Sequence, residues 1–178
     1  MRNLIAFGAS SSRQSINKTL ANFAANQVED VDVTLLDLND FKMPAYTIEL
    51  EEESGIPSVA YDFKEKIKNS DGIVISFPEH KESYSPIFKN IFDWVSKIDQ
   101  NIWTNKPMFL LATSMNNIAG RSILNTATND FKLINTNTII SFFLPSYYQK
   151  FSEEDQKITE TKLSKEFKVQ LDLFIEAL

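Results

Sequence analysis

Short apolar runs alternate with amphipathic stretches along this chain. The runs Asn3–Gly8, Val31–Leu36, Gly72–Phe77, Met108–Thr113 and Asn137–Phe143 are β-branched or continuously apolar. That is the character of strands buried on both faces rather than on one. Between them apolar residues recur every three or four positions, the period of one helix face. Leu20, Phe23, Ala24 and Val28 predict a first helix; Ala60, Phe63 and Ile67 predict a second, with Ser58 as its cap after Pro57. Ser85-Pro86 is a start signal for a third, because proline suits a first helical position where no N–H is needed. Ile87, Phe88, Ile91, Phe92 and Val95 follow it, and Ile123, Leu124, Ala127 and Phe131 mark a fourth helix. A last helix is expected from a Ser152 cap, with Glu153, Glu154 and Asp155 near the positive end of its dipole. Leu163, Phe167, Leu171, Phe174 and Leu178 are its apolar stripe. Residues 39–57 show no period and read as a surface loop.

Strands alternating with helices give an α/β fold, a parallel sheet covered on both faces and reached through right-handed crossovers. Ligands of such sheets lie beyond the carboxyl ends of the strands, where strand order reverses. The loops after the first, third and fourth strands are therefore where chemistry is expected.

At 178 residues the chain fits one domain, 1–178, with length enough for a core. A formal net charge of −6 argues against nucleic acid as a partner. Without cysteine there are no disulfides, thiolate metal sites or thiol nucleophiles. His80 is the only histidine, so no multi-histidine metal site is expected. No run reaches the length of a membrane span, and the start lacks the regions of a signal peptide, so no membrane partner and a cytoplasmic setting are expected. Glu49, Glu51, Glu52 and Glu53 read as a solvated run.

The first loop is the richest in polar chemistry. Ser10, Ser11, Ser12, Ser15 and Asn17 crowd between a strand end and a helix start. A helix N-terminus presents unpaired N–H groups and a positive dipole end, and hydroxyl and amide side chains add donors. The loop is thus a candidate phosphate cradle. It has no Gly-Lys-Ser/Thr signature, which favours a phosphomonoester over a nucleoside triphosphate. Plain capping is the alternative, and for that one side chain suffices.

The loop after the third strand, Pro78 to Ser85, runs into Pro86-Ile87-Phe88-Lys89-Asn90-Ile91-Phe92-Asp93-Trp94. Here the chain resembles the NADPH-dependent FMN reductases, flavodoxin-like proteins that include quinone, azo-dye and chromate reductases. Pro78, Glu79, Ser83, Lys89, Asn90, Asp93 and Trp94 fall without a gap on one family signature. Ser10, Ser15 and Asn17 fall on another, where serine, serine and asparagine hold the FMN phosphate. The departures are local. Ser12 stands where the family has arginine, and Arg13 comes one residue late. His80 replaces a tyrosine, and Lys81-Glu82 replaces asparagine-glycine. The usual glycine cluster after the fourth strand is Ser114-Met115-Asn116-Asn117-Ile118-Ala119-Gly120.

The resemblance implies a flavodoxin-like three-layer sandwich with strand order 2-1-3-4-5. It implies FMN as cofactor, NADPH or NADH as co-substrate, and hydride transfer through the flavin to a small acceptor such as a flavin, quinone, azo compound or metal oxyanion. The cofactor carries such chemistry, so no catalytic side chain is assigned. The implied FMN contacts are Ser10, Ser12, Arg13, Ser15, Ile16 and Asn17 at the phosphate. Pro78, Glu79, His80, Lys81 and Ser83 are implied along one side of the ring, and Ser114 and Asn116 near its polar edge. A homodimer or homotetramer with the site near the interface is also implied. His80 reads equally as an ordinary exposed loop residue, and a serine–histidine hydrolase would lack a Gly-x-Ser-x-Gly elbow and a third triad member. Tyr147 and Tyr148, after Pro145, are candidates to flank a flavin from either subunit. Two other functional readings stand beside the reductase: a flavin-binding electron carrier, and a flavin-free interaction protein whose glycine losses close the site.

Overall fold

The computed structural model describes residues 1–178. Strands β1 (Arg2–Gly8), β2 (Val31–Leu35), β3 (Gly72–Phe77), β4 (Met108–Thr113) and β5 (Ile139–Leu144) form one sheet in the order β2-β1-β3-β4-β5. Every neighbouring pair runs parallel. The edge strands β2 and β5 are not buried on both faces as their runs predicted: no residue of β2 and only Phe142 and Leu144 of β5 are buried, because each strand has a neighbour on one side alone. Alternate residues serve two cores, as a pleated strand requires. In β1, Leu4 and Ala6 face helices α1 (Ile16–Asn26) and α7 (Thr161–Ala177), while Ile5 and Phe7 face the opposite layer. That layer is α3 (Ser58–Lys68), α4 (Pro86–Ile98) and α5 (Arg121–Ile134). The result is the three-layer flavodoxin-like sandwich that the sequence implied, and its strand order reverses between β1 and β3. No helix is long and apolar enough to cross a membrane.

Two stretches depart from the sequence expectation. Residues 39–57 are not simply a loop: a 3-10 turn covers Leu38–Phe41 and a short helix, α2, covers Ile48–Ser54. Thr47 caps α2 by accepting from Leu50 N at 3.1 Å, and Glu49 and Glu51 suit its dipole. No residue of α2 is buried, so it has no apolar period to read. The second departure follows β5. Tyr147–Lys150 form a helical turn, α6, and Phe151–Ser152 (β6) pairs antiparallel with Lys157–Ile158 (β7). Ser152 therefore caps no helix; its Oγ accepts from Asp155 N at 3.1 Å inside a turn, a role serine fills as readily. Burial of Phe151 and Ile158 holds this hairpin down, with Phe151 edge-on to Phe23 of α1 at 5.1 Å. α7 starts only at Thr161, after the hairpin, and keeps Phe167, Leu171 and Phe174 buried as expected. Ser58 is likewise the first residue of α3 rather than its cap.

The position of α1 matters most for the site. A Cβ on Gly8 would stand 2.5 Å from Lys18 N, so only glycine lets the end of β1 approach the first turn of α1 this closely. Asn17, buried at the foot of that turn, ties it to two strands. Its Oδ1 accepts from Ser76 Oγ at 2.7 Å and from Thr113 N at 3.2 Å, and its Nδ2 donates to Thr113 O at 3.3 Å.

Candidate functional site

Ser15 does cap α1, its Oγ accepting from Lys18 N at 3.2 Å. Capping explains that serine and no other, and it leaves the Ser15 O–H proton available. Ser10 Oγ accepts from Ser12 N at 3.1 Å, which curls the loop back on itself. The main-chain N–H groups of Arg13, Gln14, Ser15, Ile16 and Asn17 have no partner within the chain. Successive free amides at a helix start are what a phosphate monoester binds, so the residues present fit that group.

These amides sit beside a cavity of about 270 Å³ at the carboxyl ends of β1, β3 and β4. Of the residues expected at the site, Ser10, Ser12, Ser15, Ile16, Asn17, Pro78, Glu79 and Ser114 line it. Gln14, Thr113, Met115, Ala119 and Tyr148 line it too, and sequence reasoning did not single them out as contacts, Tyr148 excepted as a candidate. A hollow of about 750 Å³ along β2 and α3 is larger, but Asp40, Asp62 and Glu65 outnumber Lys66 in its lining and disfavour an anion. Size does not make it the site.

Five expected contacts lie elsewhere. Arg13, displaced by one residue from the family register, lines a neighbouring hollow instead. His80 and Ser83 exchange main-chain hydrogen bonds of 3.1 Å, closing a tight turn whose exposed tip is Lys81 and Glu82. Both tip residues have positive φ, 50° and 63°, the shape that asparagine-glycine adopts without strain. His80, Lys81 and Ser83 thus stand at the surface, outside the cavity. Asn116 shapes the loop after β4 rather than lining the cavity. Its Oδ1 accepts from Ile118 N at 3.0 Å and Ala119 N at 2.8 Å, supplying the turn that glycines give the family.

Asn17 lines the cavity, but its side-chain amide is committed to Ser76 and Thr113; only its N–H faces no partner. Glu79 is committed as well. Its Oε2 accepts from Gly120 N at 2.7 Å, capping α5 and joining the loops after β3 and β4. Gly120, at φ 106°, is the one glycine the loop after β4 retains. The two tyrosines after β5 separate: Tyr147 is buried, while Tyr148 is 66% exposed on the cavity wall. Met115 and Ile118, 74% and 79% exposed, make an apolar rim on the loop after β4. Burial first, and then the Glu153 carboxylate that accepts its O–H at 2.9 Å, push the Tyr147 phenol well above its ordinary pKa. Burial and the Asp130 carboxylate do the same for Tyr84. Both phenols stay protonated donors at working pH.

Residues 2–149 match the family model described as NADPH-dependent FMN reductase. The chain belongs to that family. A 2-hydroxy-1,4-benzoquinone reductase from Burkholderia sp is 33% identical over 105 residues, which cover 58% of this FMN reductase family member and 55% of that protein. An NADPH:quinone oxidoreductase from Arabidopsis thaliana is 31% identical over 110 residues, covering 62% and 52%. This chain therefore spans about half the length of those relatives. Among solved structures, a flavoenzyme NAD(P)H:(acceptor) oxidoreductase from Paracoccus denitrificans superposes with a TM-score of 0.77, covering 99% of this chain and 97% of that one. At 22% identity that likeness speaks to the fold alone.

Proposed function

We propose that this chain binds FMN beyond β1, β3 and β4 and works as an NAD(P)H-dependent oxidoreductase on a small acceptor. The observation that carries the proposal is the run of free amides from Gln14 to Asn17, four successive residues that line the cavity. FMN, when bound, supplies the redox chemistry, taking hydride from a nicotinamide and handing two electrons to the acceptor. The chain binds and orients. The free amides and the hydroxyls of Ser10, Ser12 and Ser15 would donate to the phosphate oxygens, aided by the α1 dipole. Pro78, Ser114, Met115 and Tyr148 would border the ring, the last two with apolar surface. Glu79, accepting from Gly120 N at the start of α5, fixes the loop.

A quinone is the favoured acceptor class, because the Burkholderia and Arabidopsis relatives carry quinone reductase names. The apolar rim of Met115, Ile118 and Tyr148 supports a homodimer whose second copy covers the cavity mouth, since exposed apolar patches at a site mark contact surfaces. One domain, 1–178, acting in the cytoplasm is the working unit we envisage.

Titration of Ser15→Ala with FMN and with riboflavin tests the cradle. Loss of one charge-assisted contact should weaken FMN by about 1.5–3 kcal/mol and change riboflavin little; equal losses for both would show that the loop does not read the phosphate. Stopped-flow reduction of the bound flavin by NADH and NADPH tests the reductase. No reduction by either would leave a flavin carrier, and sedimentation of the same sample as a monomer would remove the dimer.

A further inference from the structure

Beside the phosphate cradle the surface opens into a second hollow of about 340 Å³. Gln14 and Ser15 line both hollows, so the ridge between them is formed by adjacent residues of one turn. The residues that line the second hollow are mostly polar. Thr19 and Asn22 of α1 and Gln156 of the β6–β7 turn face it, with Leu35 as its apolar wall. Lys18 and Arg13 bring positive charge to it. Lys18 is paired with Asp37 at 2.6 Å, whereas Arg13 has no ion-pair partner. A flavin that ends in a monophosphate, seated in the cradle, would leave this hollow unfilled.

Resting on the flavin reading above, we propose that the second hollow receives a nucleotidyl group joined to the flavin phosphate, so that the chain takes FAD as well as FMN. The added phosphate passes over the Gln14–Ser15 ridge to Arg13, whose planar fork of donors matches phosphate oxygens. The ribose and base meet the amides of Asn22 and Gln156 and the exposed face of Leu35. The one-residue displacement of Arg13 from the family register then has a purpose: it carries the charge from the first phosphate position to the second.

The test is equilibrium titration of the ligand-free full chain with FMN and FAD, followed by flavin fluorescence. The two flavins are expected to bind within about tenfold of each other. Arg13→Ala should weaken FAD about tenfold or more beyond its effect on FMN, the size of one charge-assisted contact. Asn22→Trp fills the hollow from α1 and should weaken FAD selectively, with circular dichroism unchanged. FAD binding about a hundredfold weaker than FMN overturns the inference while the FMN site stands. Equal losses for both flavins with Arg13→Ala also overturn it. So does NADP⁺ binding that depends on Arg13 when FAD binding does not, because the hollow then belongs to the co-substrate. Binding of neither flavin removes this inference and the FMN site together.

Discussion

Lys81 and Glu82 hold left-handed backbone, and each non-glycine residue there costs about 1–2 kcal/mol. Glu82→Gly is expected to stabilise the chain by about 1 kcal/mol, raising the thermal midpoint by roughly 2–4 °C for a chain of this size. A lowered or unchanged midpoint would mean that the turn is not strained. This oddity was legible in the sequence, where charged residues replace asparagine-glycine. The commitment of Asn17 was not. Its register at a helix start marked it as a phosphate ligand, but its side chain meets Ser76 and Thr113, far away in sequence, and no local pattern reports such a meeting. Asn116 lies between these cases. Its tolerance of turns was readable, and the structure spends it on the loop's own amides.

At the scale of elements, the central strands and α4 were readable from burial, while edge strand β2, which buries none of Val31–Leu35, was readable from its β-branched residues alone. β1, β3 and β4 are buried along nearly their whole length, and α4 carries a strong apolar face, so pattern alone finds them. α2 buries nothing, and the β6–β7 hairpin is held by two anchors, Phe151 and Ile158, too few to make a period. The approach of α1 to β1 is an element-level property that rests on one residue. Gly8→Ala must push the first turn of α1 off the strand, since the new methyl would meet Lys18 main chain. The expected cost is about 1–3 kcal/mol of stability, the range for overpacking, accompanied by weaker FMN binding. Urea unfolding with and without FMN measures both; native stability in this variant would show that the contact is soft.

For the whole molecule, the five-stranded order and its switch point followed from strand–helix alternation together with the family resemblance, and they place three loops around one cavity. The pH dependence of stability is also a global property. The Lys18 ammonium, and after it the Asn39 N–H, hold the Asp37 carboxyl down at about 2 against an ordinary 3.8. Asp37 is therefore a stronger acid folded than unfolded. Its contribution is complete above 3.8 and is lost as pH falls towards about 2. With both side chains partly in solvent, this amounts to on the order of 1 kcal/mol. Asp37→Asn should flatten that part of an acid-unfolding curve, and a curve as steep as that of the parent chain would assign the acid sensitivity to other carboxylates.

The Asn17 amide bolts the start of α1 to the tips of β3 and β4 through hydrogen bonds wholly within the chain. An incoming anion meets a preorganised template, and little conformational entropy on the protein side is left to lose. The same rigidity forbids the template to widen. Selection at this end of the molecule is by fixed fit, and whatever adaptability the protein has must reside in the ring-side loops.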